Sequence, residues 1–336
     1  MPNREGRAVI GTMILAVALL GWAQAGTKVD LNGGIYPGFR LDANGSSFTL
    51  MGAEAEITAR VSSKTRDIVT AALQLWAQPD MRDWTMGYHF GLAYAVVPLG
   101  LRLPQIKVGQ AVIPFGLLAD YDTHIQIVQT PFARTLSQRI DLGAGLQGSI
   151  AQTAYALWVS NGTGPYRLDN DRNKVVTLRI APKFLLGDAE MTWGVSGLAG
   201  TLPFWQLDSM MMAMDGPHFY RMKYRAALDN TSDWGPLTIR LEGVAGRDSA
   251  LSGPMVYGYY GEARWAVTDW LEPMVKYDGY HVAEQGSHRS LAAGFTFTPP
   301  HQSTVNLQAF FQQDWMKTMM MNERLWNVAA QVTVRF

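Results

Sequence analysis

The sequence predicts an all-β chain, a transmembrane antiparallel barrel of about sixteen strands. Three observations carry that expectation. An export signal opens the chain, apolar and polar residues alternate with period two over most of the rest, and connections alternate between short and long.

The chain has 336 residues, a formal net charge of zero and no cysteine. Its mean hydropathy is −0.03, and no long apolar run follows the N-terminus. Such a length would suit about two domains. Yet no linker, low-complexity stretch or charge block divides it, so one large β domain fits better. The absence of cysteine excludes disulfides, thiolate metal sites and cysteine nucleophiles. Neutrality gives no reason to expect a nucleic-acid partner.

Residues 1–25 read as a signal peptide. Arg4 and Arg7 supply the positive start, an apolar stretch covers 8–20, and Ala23-Gln24-Ala25 is a small-x-small cleavage site. The mature barrel domain would then be 26–336. A membrane-anchor helix is the alternative, but the apolar run is shorter than the roughly 20 residues that span a bilayer.

The tail from Leu325 to Phe336 shows the alternation. Trp326, Val328, Ala330, Val332, Val334 and Phe336 share one face, and Asn327, Gln331, Thr333 and Arg335 share the other. Similar segments lie near 305–314, 290–297, 271–278, 257–268, 237–242 and 220–229. Further ones lie near 189–201, 174–184, 152–160, 141–150, 100–113, 84–97, 67–78, 48–62 and 28–40. Strands of about ten residues cross a bilayer when tilted. Trp76, Trp84, Trp265, Trp270, Trp315 and Trp326 fall near strand ends, as interfacial girdles would.

Short connections are expected at 63–66, 97–100, 151–152, 186–188, 268–269 and 299–301. Long ones are expected at 78–83, 114–140, 161–173, 202–218 and 316–323. Short periplasmic turns and long outer loops are the barrel pattern. The segment 229–236 departs from it as a long connection on the short side.

An export signal, amphipathic strands and the terminal Phe336 together resemble bacterial outer-membrane porins. The terminal phenylalanine looks like the signal read by the barrel-assembly machinery. Lys107-Val108-Gly109-Gln110, followed by Ile113-Pro114-Phe115-Gly116, resembles the G-x-F-x-x-P-F-G strand end of the phosphate-selective porin O and P family. The resemblance implies an inward-folded loop after that motif, passive passage of small hydrophilic solutes, outer-membrane lipid around the barrel and a homotrimer. Leu117-Leu118-Ala119 stands where the family often has an acidic residue, and no lysine-rich ladder is visible. The resemblance therefore does not extend to phosphate selectivity.

The third outer loop, 114–140, is the longest, and long loops without internal structure are usually functional. Folded inward, it would make a constriction with Asp120, Asp122, His124, Arg134 and Arg139 as candidate residues. The alternative is a loop folded over the mouth. By parity Arg221, Lys223, Arg225, Arg240, Arg264, Lys276 and Arg335 point into the lumen, as do Glu54 and Glu56. A basic wall facing acidic groups would bias the pore weakly toward anions. Alternatively, Arg240, Glu242, Glu262 and Arg264 neutralise one another across strands.

Met210, Met211, Met212 and Met214, with Met316, Met319, Met320 and Met321, fall in two expected outer loops. Thioether clusters suit soft ions, and flexible methionines also fill gaps. Without histidine or cysteine at regular spacing, no metal site and no cofactor is expected. No G-x-S-x-G, H-E-x-x-H or phosphate-binding loop is present, so no enzyme is expected. A second architecture uses the same pattern, namely a barrel that sheathes a partner such as a secreted multihaem cytochrome.

Overall fold

A computed structural model describes residues 26–42, 45–63, 67–79, 86–100, 103–119, 135–136, 138–164, 172–203, 220–249, 253–283, 286–300, 304–318 and 322–335. The first half contributes β1 (Gly26–Asp42), β2 (Gly45–Ser62), β3 (Asp67–Pro79), β4 (Met86–Pro98), β5 (Gln105–Val112), β6 (Ile140–Ile150), β7 (Thr153–Ser160) and β8 (Val175–Leu186). The second contributes β9 (Ala189–Pro203), β10 (Tyr220–Trp234), β11 (Leu237–Asp248), β12 (Met255–Trp265), β13 (Leu271–Val282), β14 (Gly286–Phe297), β15 (Val305–Lys317) and β16 (Asn322–Arg335). Each strand pairs antiparallel with its sequence neighbours, and β1 pairs with β16 to close the barrel. The closing register runs from Gly34 opposite Arg335 to Asp42 opposite Asn327.

Closure follows from solvent. Unpaired backbone groups in hydrocarbon cost several kcal/mol each, so a spanning sheet must leave no edge. Pro37 brings no N–H to the ladder, and the β1–β2 register shifts between Tyr36 and Pro37. A bulge is where a strand tolerates proline.

The period-two pattern sorts side chains onto two faces. Leu241, Leu228, Val195, Leu178, Val275, Leu291 and Phe311 are exposed on the outside. The residues between them, such as Glu242, Asp229, Ser196, Thr177, Lys276 and Ser290, are buried on the inside. An apolar belt on the outside of a closed barrel needs lipid as its solvent, and this is the fold of a bacterial outer-membrane barrel. Trp234, Trp265 and Trp270 are exposed at the short-turn end, while Tyr257 and Trp315 are exposed near the other end. Trp76 does not belong to either girdle. It sits opposite Glu54 on the lumen face, buried against the Tyr36 ring at 5.6 Å.

Several expected connections differ. Residues 229–234 are strand, and Gly235 and Pro236 alone join β10 to β11. Polar residues here looked like a loop because they meet a polar interior. Asp229 pairs with Arg179 at 2.6 Å, and Asp233 accepts from Thr238 Oγ1 at 2.6 Å. The last outer connection is also short, 318–321, because Met316 belongs to β15 and packs inside with Val256, Tyr280 and Val282. The turn expected at 299–301 spans 298–304. β5 starts at Gln105 rather than near 100, since Leu99 N–H donates to Pro104 O and Leu103 N–H to Gly100 O in a compact turn. Short connections also join β1 to β2 and β13 to β14, so only the loops at 113–139, 161–174 and 204–219 are long.

A charge placed on the outer face tests this partition. Leu241→Lys, near the middle of β11, is expected to destabilise the barrel by about 2–4 kcal/mol in urea unfolding from lipid vesicles. An unchanged midpoint would mean that this face does not meet hydrocarbon.

Candidate functional site

β8–β11 build a lumen wall, each strand contributing residues of one parity. β8 contributes Val175, Thr177 and Arg179, β9 contributes Ser196, Leu198 and Leu202, and β10 contributes Lys223, Arg225, Ala227 and Asp229. Glu242, Val244 and Asp248 complete it from β11. The flanks of the long segment between β5 and β6 lie against this wall.

The approach flank leaves β5 through Ile113-Pro114-Phe115 and makes a single 3-10 turn over Gly116–Ala119. Ile113, Phe115 and Leu118 are buried with Leu136, Val175, Leu198, Leu202, Ala227 and Val244 in one apolar cluster inside the barrel. Burying a side chain the size of Phe115 or Leu118 stabilises by about 1.5–3 kcal/mol. Gly116 N–H donates to Ser196 Oγ at 3.0 Å, and Leu117 N–H donates to Glu242 Oε2 at 2.6 Å. The Glu242 carboxylate thus receives a free N–H at the start of a helical turn.

Gly116 is required twice. Its φ is +55°, and a Cβ there would come 2.2 Å from Glu242 Oε2. The last residue of the Pro114-Phe115-Gly116 motif therefore turns the chain inward and leaves room for its anchor.

The return flank is held by backbone carbonyls. Arg225 Nε donates to Thr135 O at 2.7 Å, and Lys223 Nζ donates to Leu136 O at 3.4 Å. Arg225 also pairs with Asp248 and donates to the carbonyls of Tyr224 and Arg247 at 3.0 and 2.9 Å. Ile113 N–H donates to Arg139 O at 2.9 Å, closing the neck of the segment. Thr135 reaches as far as Gly258 on β12, where a Cβ would meet its methyl at 2.5 Å.

The residues singled out from sequence fall as follows. Asp120, Asp122, His124 and Arg134 lie outside the described residues, and Arg139 is at the neck, partly buried. Phe336, Met210, Met211, Met212, Met214, Met319, Met320 and Met321 also lie outside them. Lys223 and Arg225 stand on the lumen side, but they are buried beneath the segment and spend their donors on its carbonyls. Arg221 is half-buried beside them. Arg240 and Arg264 both bond Glu262 Oε1 at 2.6 Å, and Arg264 also reaches Glu272 at 3.3 Å. Glu242 does not join that set, because the loop turn occupies it. Lys276 pairs with Asp278. Across the barrel, Glu54 accepts from Tyr36 OH and, at 2.8 Å, from Gln74 Nε2, while Glu56 accepts from Thr58 Oγ1 at 3.2 Å. Arg335 is exposed at the short-turn end.

Three residues of the docking wall went unnoticed in the sequence. Ser196, Arg179 and Asp229 carry no signal there beyond their lumen parity. Asp229 needs Gly194 opposite it, since a Cβ at 194 would lie 2.2 Å from its carboxylate.

Beside the docked flank, β5–β8 enclose a recess of about 490 Å³. Gly145 and Ala156 leave the space, and Lys107, Gln105, Gln147, Trp158 and Arg179 line it with Pro114 above. Lys107 Nζ lies 4.2 Å from the Tyr94 ring centroid. The recess joins cationic and amide groups to the Trp158 ring.

No family's sequence profile matches the chain, and no curated protein matches it. Solved structures do. The outer membrane channel DcaP of Acinetobacter baumannii aligns over 94% of this chain and 99% of its own, with 10% identity and a TM-score of 0.67. An anion-selective porin from Comamonas acidovorans aligns over 93% and 100%, with 11% identity and a TM-score of 0.65. OmpT, an outer membrane protein of Vibrio cholerae solved in a trimer form, aligns over 92% and 99%, with 10% identity and a TM-score of 0.67. At such identities the likeness is one of fold.

Truncating the anchor tests the docking. Glu242→Ala leaves the buried Leu117 N–H without a partner, a cost of about 1–3 kcal/mol. The docked segment is then expected to open about ten-fold more often, read as faster trypsin cleavage at Arg139 in detergent. Cleavage at the wild-type rate would show that Glu242 does not hold the segment.

Proposed function

We propose that the chain is an outer-membrane diffusion channel for small hydrophilic solutes and ions, with a weak preference for anions and no enzymatic activity. The observation that carries this reading is the pair of docked flanks. The long segment both leaves and rejoins the barrel along the inner wall of β8–β11, through Leu117 N–H to Glu242 and Arg225 to Thr135 O. On this reading the residues between, with Asp120, Asp122, His124 and Arg134, narrow the pore from within. A sixteen-strand barrel is wide enough to keep water beside such a loop.

Charge pairing supports the weak selectivity. Most lumen carboxylates on the basic side have a cationic partner, as in Arg179–Asp229, Arg225–Asp248 and Arg264–Glu262. Paired charges bias a pore less than a free ring would. Among the described residues Lys107 pairs with no carboxylate; its ammonium lies over the Tyr94 ring and lines the recess. The named channel and anion-selective porin among the fold neighbours agree with this reading. So does the local likeness of residues 107–116 to the porin O and P family.

The same reading includes removal of residues 1–25, recognition of Phe336 by the barrel-assembly machinery, a belt of outer-membrane lipid and a homotrimer. A sheath around a multihaem cytochrome fits less well, since the chain's own segment occupies part of the inner wall.

Planar-bilayer recording tests the channel. Steady single-channel conductance is expected, and deletion of residues 120–133 is expected to raise it about two-fold or more. Reversal potentials in a salt gradient should show weak anion preference, lost in Lys107→Glu. Strong cation selectivity in the wild type, or no conductance at all, would defeat the reading. The intact mass of the mature protein should place its first residue at Gly26.

A further inference from the structure

The outward face of β12–β16 carries charge in one place only. Along these strands its members include Trp265, Val275, Tyr277, Leu291, Phe295, Phe311 and Val334, all exposed and apolar or aromatic. No Asp or Glu occurs at an outward position of these five strands. The lysine and arginine residues on it are Arg289, Lys317 and Arg324, each exposed. All three lie in two adjacent rows at the long-loop end.

The register makes them a cluster. Tyr259, Gly279, Arg289, Trp315 and Arg324 are successive cross-strand partners in one row. Tyr257, His281, Ser287, Lys317 and Asn322 form the next row toward the loops. Strands lie about 4.8 Å apart, so Arg289 and Arg324 are about 10 Å apart with Trp315 between them. Lys317 stands about 7 Å above Trp315 along its strand. Arg324 Cζ lies 5.9 Å from the Trp315 ring centroid, which holds the guanidinium near the sheet. Tyr257 stacks on His281 at 4.9 Å beside them.

General snorkelling of long cations would place them at both ends of the belt. Here the short-turn end of the same five strands carries Trp265 and Phe297 and no outward cation. The asymmetry matches a leaflet asymmetry. In an outer membrane, the long-loop end meets the outer leaflet, whose glycolipids carry phosphate at headgroup depth and several acyl chains below.

We propose that this face of β12–β16 is a binding site for a phosphorylated, multiply acylated glycolipid of the outer leaflet. Arg289 and Arg324 grip one phosphate as bidentate donors, Lys317 adds a third positive charge, and the acyl chains run down over Tyr277, Leu291 and Phe311. A second copy of this chain is the less suitable occupant, because a face with cations and no carboxylate is not complementary to itself. The inference rests on the outer-membrane placement proposed above and not on conduction.

The test uses the intact barrel in detergent, titrated with diphosphoryl lipid A and followed by native mass spectrometry. Phosphatidylglycerol serves as an anionic comparison. Wild-type protein is expected to bind lipid A at least ten-fold more tightly than phosphatidylglycerol. The Arg289→Gln, Lys317→Gln, Arg324→Gln triple variant should lose that preference, with single-channel conductance unchanged. Arg289→Lys with Arg324→Lys should retain binding partly, showing that the charges act and that the barrel folds. Equal binding of both lipids to the wild type, or equal lipid A binding by the triple variant, overturns the proposal. So does a changed oligomeric state in the triple variant without a change in lipid binding, which would make this face a protomer interface. Absence of conductance in every variant, with lipid A preference intact, would count against the channel and leave the lipid site standing.

Discussion

The rest of the structure depends on one constraint, that no backbone N–H or C=O can be left unpaired in hydrocarbon. A closed antiparallel sheet satisfies it, and here the closing seam is β1 on β16. From closure follow the two faces, the even number of strands and the placement of chain reversals at two ends. It also explains why Pro37 sits where the β1–β2 register shifts, since a proline in a regular ladder would leave an acceptor unmatched.

The interior obeys a second rule. Where the flanks at 113–118 and 135–136 cover the wall of β8–β11, charges are taken from water, and each buried charge must find a partner. Arg179 with Asp229, Arg225 with Asp248 and Glu242 with Leu117 N–H are the result. The loop and wall therefore stabilise each other. The wall supplies donors and acceptors that the loop backbone lacks, and the loop supplies the apolar cover over Ala227 and Val244. Gly116 is the point where both meet, because it turns with positive φ and yields its Cβ space to Glu242.

Much of the fold was legible because strand parity is written locally. Sixteen strands, their outward faces and the long connection after Val112 could all be read from spacing. Polarity was misleading wherever the lumen supplied the polar surroundings. Residues 229–234 looked like loop because Asp229, Asn230, Ser232 and Asp233 are hydrophilic, though they are strand residues bonded to neighbours. Trp76 looked like a girdle residue because it lies toward the loop end of β3, and facing Tyr36 puts it inside. Met316 lies close in sequence to the methionines after β15, and its strand position packs it against Val256 and Tyr280.

The sequence by itself determined the barrel class, the direction most strand residues face and the segment that departs from the wall at Pro114. These depend on period, and period is a property of neighbours along the chain. Only the tertiary structure decided that Glu242, rather than Glu262, anchors that segment, and that Lys223 and Arg225 hold loop carbonyls instead of facing open water. It also brought Arg289, Lys317 and Arg324 into adjacent rows on three strands. The reason is register. Which residues stand side by side across a sheet depends on strand offset, and no local spacing encodes that offset when loops of different length intervene.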